Sequence, residues 1–405
     1  MTAERSTARG TTVSRAIRRL PGGDMMLMPP RVVRFLRSDR RTGLPTEAGV
    51  EPSPRPNPMA LAASVAIDEM VLVYMRQRRV EATADDLVRI GEELSDAAAA
   101  FRDAGWADDP TSFHSSPSAP HDVRLRPGRA RGGEFERLSF DSGYDPDPRI
   151  PGADRWTAKE ANRRARAFVV RGRPGAPWVV ALHGFSMGGP RDMQFFGSQR
   201  LRAHGVNVIH PVLPLHGSRR SGRRSGDGVI SLDVLANVHA VSQALWDVRR
   251  CILWAREQGA TRIGLHGISL GGYIAALAAG VVDGIDCAVV GIPAVDMGIV
   301  MRQITPSRSV PLAERAGLFG PDAADVLTVV SPLAFAPLVP HAGRFVYAGV
   351  GDRVATPQQA ELLWHHWDRP RALWFSGGHV AWPRDVRRFT RRAIYSGLLG
   401  QDAAR

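Results

Sequence analysis

Ser269 lies in the run Gly267-Ile268-Ser269-Leu270-Gly271-Gly272, between an apolar strand pattern at 262–266 and an apolar helix pattern at 271–281. Glycines two residues before and after a serine allow a sharp strand-to-helix turn, and such a turn exposes the serine hydroxyl. A small-residue turn that merely permits tight helix packing is the alternative. Because the run sits at a strand-to-helix junction, we predict that Ser269 is a nucleophile.

A serine hydroxyl is a weak nucleophile, so it needs a base within hydrogen-bond reach and a third group that orients that base. Asp352 follows the predicted strand 344–350, and His379 follows the predicted strand 371–376. Both residues therefore come after the carboxyl ends of strands, the edge at which open α/β sheets assemble their sites. We predict that His379 is the base and that Asp352 orients it.

Other residues compete for these two roles. Asp296, just after the predicted strand 286–292, is an alternative acid. His266 precedes the nucleophile in its strand and is expected to be a core residue. His365 and His366 are adjacent on a predicted helix, so their side chains diverge and are not expected to meet at one site or one metal ion.

Acyl transfer also needs N–H donors for the developing oxyanion, and two backbone amides usually supply them. The amide of Leu270, directly after the nucleophile, is one predicted donor. The second is expected from the loop after the predicted strand 177–182, where Phe185 is the first choice and Ser186 the alternative. His183 in the same loop is expected to have a structural role.

An arginine-rich loop at 213–227 follows the predicted strand 206–212 and starts at the same sheet edge. Guanidinium groups hold phosphate or carboxylate by forked hydrogen bonds, so this loop is a candidate site for an anionic part of the substrate. A solvated, flexible loop is the alternative. The candidate substrate-binding residues are His216, Arg219 and Arg220, followed by Arg223 and Arg224.

The elements that would position these residues alternate between strand and helix along the second half of the chain. Apolar strand patterns separated by helices predict an α/β fold with a mainly parallel, doubly wound sheet. The predicted strands are 135–140, 165–171, 177–182, 206–212, 262–266, 286–292, 344–350 and 371–376, and the predicted helices are 191–204, 230–258, 271–281, 356–367 and 384–398.

The first part of the chain has a different character. Residues 1–58 are rich in Arg, Pro, Gly and Ser, which predicts a flexible basic tail. Residues 59–133 are predicted to be a helical extension and linker, with Thr83 as the N-cap of its second helix. Asp68 and Glu69 interrupt the apolar run of the first helix, which argues against a membrane span.

Charge and cysteine content limit the classes of partner and site that the sequence supports. The 405 residues include 53 Lys and Arg against 40 Asp and Glu, a net charge of +13. Lys159 is the only lysine, so a compositional bias towards arginine is the favoured explanation of the charge and anion binding is the alternative. No nucleic-acid-binding pattern accompanies the arginines. Cys251 and Cys287 are expected to be buried free thiols of a cytoplasmic protein, and any membrane contact is expected to be peripheral.

Four motifs together resemble the α/β-hydrolase superfamily, in particular its serine esterase and lipase branches. They are HGF at 183–185, GISLGG at 267–272, GD at 351–352 and GGH at 377–379. The resemblance covers residues 134–405 and implies a nucleophile elbow, a Ser269-Asp352-His379 catalytic triad and an oxyanion hole. Residues 294–340 lie where this superfamily often inserts a cap, and nothing before residue 134 corresponds to its core.

The resemblance implies a serine hydrolase that cleaves a carboxylic ester through an acyl-enzyme, without a metal or organic cofactor. The expected partner is a small-molecule acyl or lipid ester, anionic if the arginine loop binds it. A peptidase, thioesterase or acyltransferase would use the same triad. A non-catalytic binding or scaffold protein on a hydrolase fold is the alternative from another class.

Overall fold

A computed structural model describes residues 23–37, 49–51, 57–78, 82–131 and 133–400. Within these residues, one sheet contains ten strands. They are β1 (Val50–Glu51), β2 (Arg124–Ala130), β3 (Gly133–Asp141), β4 (Arg164–Val170), β5 (Trp178–Leu182), β6 (Asn207–Val212), β7 (Ile263–Ile268), β8 (Cys287–Gly291), β9 (Arg344–Gly349) and β10 (Arg371–Phe375).

The strand order is β1-β10-β9-β8-β7-β5-β6-β4-β3-β2. Every pairing from β1 to β6 is parallel, whereas β4, β3 and β2 join through antiparallel pairings. The long parallel part brings the carboxyl ends of β5, β7, β9 and β10 to one edge of the sheet. The predicted mainly parallel α/β sheet is thus confirmed.

Helices cover both faces of the sheet, which explains why its central strands are apolar throughout. In β5, Val179 and Ala181 pack in one core cluster and Val180 and Leu182 in the other. The helices before β4 are α1 (Gly23–Met26), α2 (Met28–Arg37), α3 (Pro58–Gln77), α4 (Ala84–Asp103), α5 (Ala153–Thr157) and α6 (Glu160–Arg163). Those after β4 are α7 (Asp192–Phe195), α8 (Ser198–Ala203), α9 (Val234–Glu257), α10 (Leu270–Val281), α11 (Met297–Ile304), α12 (Val310–Arg315), α13 (Pro321–Thr328), α14 (Pro357–His366) and α15 (Arg384–Leu399).

The N-terminal part differs from the sequence prediction. The segment predicted to be a flexible tail contains α1, α2 and β1, and the side chains of Leu27 and Phe35 are buried. Strand β2 lies in a segment predicted to be a loop, because Pro127 and Gly128 break the usual strand pattern there. The predicted single helix at 191–204 is divided at Gly197, whose φ of 64° ends one helix before the next begins.

Helices α3 and α4 form the predicted helical extension. Thr83 caps α4 as predicted, in a reciprocal pair with Asp86. Helix α3 is long and apolar enough to cross a membrane by length and composition alone, a test that buried core helices also pass. Here it packs on the sheet edge that carries the predicted site, as the contacts below show.

Candidate active site

The nucleophile elbow joins β7 to α10 at Ser269. The serine has φ 53° and ψ −119°, a strained conformation for a residue other than glycine. A Cβ at Gly267 would lie 2.8 Å from Ala275 Cβ, and a Cβ at Gly271 would lie 2.6 Å from the carbonyl oxygen of His183. Glycine is therefore required at both positions, because β7, α10 and the loop after β5 approach one another at the serine.

The structure brings the three predicted triad residues together. His379 Nε2 lies 2.9 Å from Ser269 Oγ, and His379 Nδ1 lies 2.7 Å from Asp352 Oδ2. Because a carboxylate only accepts, Nδ1 carries the imidazole proton and Nε2 is left to accept the serine hydroxyl proton. This is the order of contacts in which a serine can be deprotonated as it attacks.

Asp352 is fully buried and is fixed by its own loop. Its Oδ1 accepts hydrogen bonds from the backbone N–H groups of Val354 at 2.8 Å and Ala355 at 2.9 Å. Burial alone would lower the pKa of His379, but the charge of Asp352, the hydrogen bond to it and the charge of Asp68 outweigh burial and raise that pKa. The site thus favours the imidazolium that forms when the serine gives up its proton.

The predicted oxyanion donors flank the serine. Leu270 is the first residue of α10, where backbone N–H groups have no acceptor within the helix. A Cβ at Gly184 would lie 3.5 Å from Ser269 Cβ, so the loop that carries Phe185 rests against Ser269. Ser186 adopts φ 65° in the same loop, and its hydroxyl accepts a hydrogen bond from Arg78 at 3.1 Å.

His183 holds this loop in place. Its Nε2 accepts the backbone N–H of Leu213 at 3.1 Å, so its Nδ1 carries the proton and donates to the carbonyl oxygen of Gly184 at 2.9 Å. Burial lowers the pKa of His183, which keeps the ring neutral. The structural role expected for this histidine agrees with these contacts.

The structure does not bring Arg219 to the predicted substrate site. Its side chain is 1% exposed, forms an ion pair with Asp247 at 2.8 Å, and donates to the carbonyl oxygens of Val212 and Asn162. A guanidinium group engaged in this way beneath the loop cannot reach an anion in solution. This part of the arginine-loop prediction is therefore corrected: Arg219 anchors the loop to α9.

His216 and Arg220 also lie apart from an open substrate site. The His216 ring is buried, Nδ1 is 2.9 Å from the carbonyl oxygen of Pro214, and burial lowers its pKa to about 3. The ring packs against Phe185 with centroids 6.0 Å apart, so it supports the loop that carries Phe185. Arg220 is exposed and donates to the carbonyl oxygen of Gly217 in its own turn.

A cavity of about 660 Å³ lies beside the loop that carries Phe185. Its walls come from the helical extension, the arginine loop and the residues that follow α11. Arg223 and Arg224, the second arginine pair of the loop, line it. The lining also includes Phe185 and Arg78, together with Met75, Ile90, Ile230 and Leu232.

The competing residues serve other contacts. Asp296 caps α11 by accepting the backbone N–H of Ile299 at 2.9 Å. His266 is buried with Nε2 3.2 Å from the Tyr347 hydroxyl, in the core as expected. His366 Nε2 lies 2.8 Å from the carbonyl oxygen of Phe335.

The two cysteines lie in the core, away from the predicted triad. Cys251 and Cys287 are free and buried, and burial raises the pKa of each thiol. Among the described residues, no group of three or more His, Cys, Asp or Glu side chains is arranged to hold a metal ion.

Two residues at the site were missed from the sequence. Asp68 accepts backbone N–H groups from the loops that carry His379 and Asp352, and Glu69 accepts Arg353 Nε at 3.0 Å. Both carboxylates are buried, at 0% and 1% exposure. The signal was present, because two adjacent acids in an otherwise apolar helix need partners inside the protein, but the sequence does not say which ones.

Comparisons with known proteins give the following relatives. No protein-family model matches the sequence. The chain is 39% identical over 362 residues to the uncharacterized protein MT2702 of Mycobacterium tuberculosis strain CDC 1551 / Oshkosh, covering 86% of this chain and 85% of that protein. It is 38% identical over the same length to the uncharacterized protein Rv2627c of strain ATCC 25618 / H37Rv, with the same coverage.

Among solved structures, an acetyl xylan esterase from Paenibacillus sp. R4 aligns with TM-score 0.47 and 16% identity, over 80% of this chain and 98% of that one. Acetyl xylan esterase 1 from Thermoanaerobacterium sp. JW/SL YS485 aligns with TM-score 0.48 and 14% identity, over 72% and 92%. The mainly parallel sheet, with a sharp strand-to-helix turn at Ser269, is the arrangement that the sequence motifs predicted. The chain belongs to the same family as the two mycobacterial proteins.

Proposed function

We propose that this protein is a serine hydrolase that cleaves a carboxylic ester through an acyl-enzyme intermediate. The observation that carries the proposal is the position of His379, between Ser269 Oγ at 2.9 Å and Asp352 Oδ2 at 2.7 Å. A nucleophile, a base and an orienting carboxylate in this order are the minimum that acyl transfer through serine requires.

In this mechanism Ser269 Oγ attacks the ester carbonyl while His379 Nε2 takes its proton. The carbonyl oxygen becomes negative and is stabilised by the N–H groups of Leu270 and Phe185. The C–O bond of the ester then breaks, and the imidazolium gives its proton to the leaving alkoxide. Water, deprotonated by His379, attacks the acyl-enzyme in the second half and restores Ser269. Asp352 holds the imidazole and its charge throughout.

The cavity beside Phe185 is the proposed site for one part of the substrate. Its volume of about 660 Å³ lies within the range of small-molecule sites, about 300–1,000 Å³. Apolar side chains from α3, α4 and the loop after residue 228 form its walls, while Arg223 and Arg224 are exposed at its edge. Asp86, Asp227 and Asp233 also line the cavity, so its polar part carries both signs of charge. The apolar walls suit an apolar portion of a small ester, and Arg223 and Arg224 are the exposed cations available to an anionic one.

The test is labelling with a fluorophosphonate probe together with hydrolysis of p-nitrophenyl esters of increasing acyl length. Ser269→Ala is expected to abolish both labelling and turnover while its circular dichroism spectrum stays unchanged. Ser118→Ala, which alters an exposed serine outside the site, is the matched control and should retain both. Undiminished turnover in Ser269→Ala would remove Ser269 from the mechanism.

The same experiment separates the alternatives that share the triad. Labelling at Ser269 without ester turnover would favour a peptidase, thioesterase or acyltransferase, and these are distinguished by product analysis with amide and thioester substrates and with competing alcohols or amines. No labelling of folded protein would favour a non-catalytic binding role for the fold.

A further inference from the structure

Three backbone N–H groups next to the triad converge on one carboxylate of the N-terminal extension. Asp68, in the middle of α3, accepts from His379 N–H at 2.6 Å and Arg353 N–H at 3.1 Å through Oδ2, and from Val380 N–H at 3.3 Å through Oδ1. Arg353 directly follows Asp352. One side chain from outside the hydrolase core thus joins the loop of the base to the loop of the acid.

We propose that Asp68 is a positioning residue of the active site, which holds the His379 and Asp352 loops in register so that the imidazole lies between Asp352 and Ser269. This inference rests on the proposed serine hydrolase mechanism. It makes the helical extension a component of the site, although nothing before residue 134 belongs to the hydrolase core recognised in the sequence.

The glycines of the two motifs support this assignment independently. A Cβ at Gly378, next to His379, would lie 2.6 Å from Asp68 Oδ2. A Cβ at Gly351, next to Asp352, would lie 2.7 Å from Leu61 Cδ1 and 3.1 Å from Val65 Cγ2. Both loops therefore carry glycine at the point where α3 presses against them, and a larger residue would separate the helix from the triad.

The charged groups around Asp68 indicate that it also affects the pKa of His379. From the loops, Asp352 and His379 face it; on its own helix, Glu69 pairs with the Arg353 guanidinium and lies 3.6 Å from Arg31 of α2. Burial, together with the charge of Asp352, raises the pKa of Asp68 to about 6. Above that pH Asp68 is ionised, and its charge is one of the causes that raise the pKa of His379.

The central experiment compares Asp68→Asn with Asp96→Asn. Asparagine at position 68 keeps an oxygen for the N–H groups of His379 and Arg353 but removes the charge. Asp96→Asn makes the same chemical change at an exposed residue of α4, outside the site. With a p-nitrophenyl ester, we expect kcat of Asp68→Asn to fall about 10-fold to 100-fold with KM little changed. The acid limb of its kcat/KM profile should move to lower pH, whereas that of Asp96→Asn should not.

Gly378→Ala provides a second perturbation that leaves the carboxylate in the protein. The added methyl group would push the Asp68 side chain away from the loop, so kcat should fall as in Asp68→Asn. Gly378→Ala can also replace Asp68→Asn in the kinetic experiment if Asp68→Asn does not fold. Fluorophosphonate labelling gives the fraction of intact sites in each variant and so separates a lower kcat from a smaller folded population.

The titration of His379 provides a reading that does not depend on turnover. In ¹⁵N-histidine-labelled protein, with His379 assigned from a His379→Gln variant, the His379 pKa should fall in Asp68→Asn and stay unchanged in Asp96→Asn. An unaltered His379 titration and unaltered kcat in Asp68→Asn, or equal changes in both variants, would overturn the proposal. Loss of the proposed function itself would be seen separately, as absent labelling and turnover in the unsubstituted protein.

Discussion

The closest approach within the elbow makes Gly271→Ala the sharpest test of how Ser269 is positioned. The added Cβ would lie 2.6 Å from His183 O and closer still to the carbonyl group of Leu182, whereas real Cβ contacts essentially never fall below 3.0 Å. Both obstacles are backbone atoms, so side-chain rotation cannot relieve the overlap. The start of α10, and Ser269 with it, would have to move by about 1 Å, a displacement that costs about 100-fold in rate.

The stability change has two opposing parts. Alanine is better than glycine in a helix by about 1 kcal/mol, while overpacking against backbone costs about 3 kcal/mol, the upper end of its usual range. We therefore expect Gly271→Ala to lose about 2 kcal/mol of stability and about 2 °C in Tm, with kcat reduced about 100-fold at nearly constant KM. Thermal unfolding and ester kinetics measure the two effects.

Gly189→Ala is the matched control. Gly189 lies in the loop that carries Phe185, and a Cβ added there would have no heavy atom within 4 Å. It should retain both kcat and Tm. If Gly271→Ala kept the kcat and Tm of the unsubstituted protein, the strained elbow would be more adaptable than the geometry requires, and the argument that its glycines position Ser269 would be refuted.

Two further predictions concern the base and the arginine loop. Because the folded protein raises the pKa of His379, its imidazole holds a proton to higher pH, and kcat/KM should rise with pH through an apparent pKa above the ordinary 6.5; a midpoint below that value would contradict the ion pair with Asp352. Arg219→Ala should lower stability by about 3–5 kcal/mol, since it leaves Asp247 buried without its cation. Arg224→Ala should change stability by less than about 0.5 kcal/mol and raise KM only for anionic esters. Equal losses of stability in chemical denaturation would show that the two arginines do not differ in this way.

The sequence was sufficient to predict the central strands of the sheet and the residues at their carboxyl ends, although it missed the two edge strands β1 and β2. Ser269, Asp352 and His379 each follow an apolar strand, and parallel pairing brings such positions together whatever the remaining detail. The order of the strands did not need to be known for this prediction. The prediction needed only the apolar strand patterns and the fact that the carboxyl ends of parallel strands lie at one edge of a sheet.

Long-range pairing of polar side chains could not be predicted in the same way. Arg219 and Arg220 are neighbours in a loop of arginine, serine and glycine, yet one is buried against Asp247 and the other is exposed. The difference arises because the first turn of the loop places Arg219 over α9. No local feature of the sequence distinguishes the two residues, since each guanidinium group takes its environment from an element far along the chain.

Helix α3 also carries polar side chains whose partners lie far along the chain, because two adjacent acids interrupt its apolar sequence. By length and composition this helix could cross a membrane, but in lipid Asp68 and Glu69 would lose their partners at a cost of about 3 kcal/mol or more each. In the folded protein Asp68 accepts three backbone N–H groups, and Glu69 accepts Arg353 Nε. The two charges that count against a membrane span are thus the ones that fix the helix to the loops of Asp352 and His379. An apolar helix that retains such acids is best understood from the groups that satisfy them, and here those groups belong to the proposed active site.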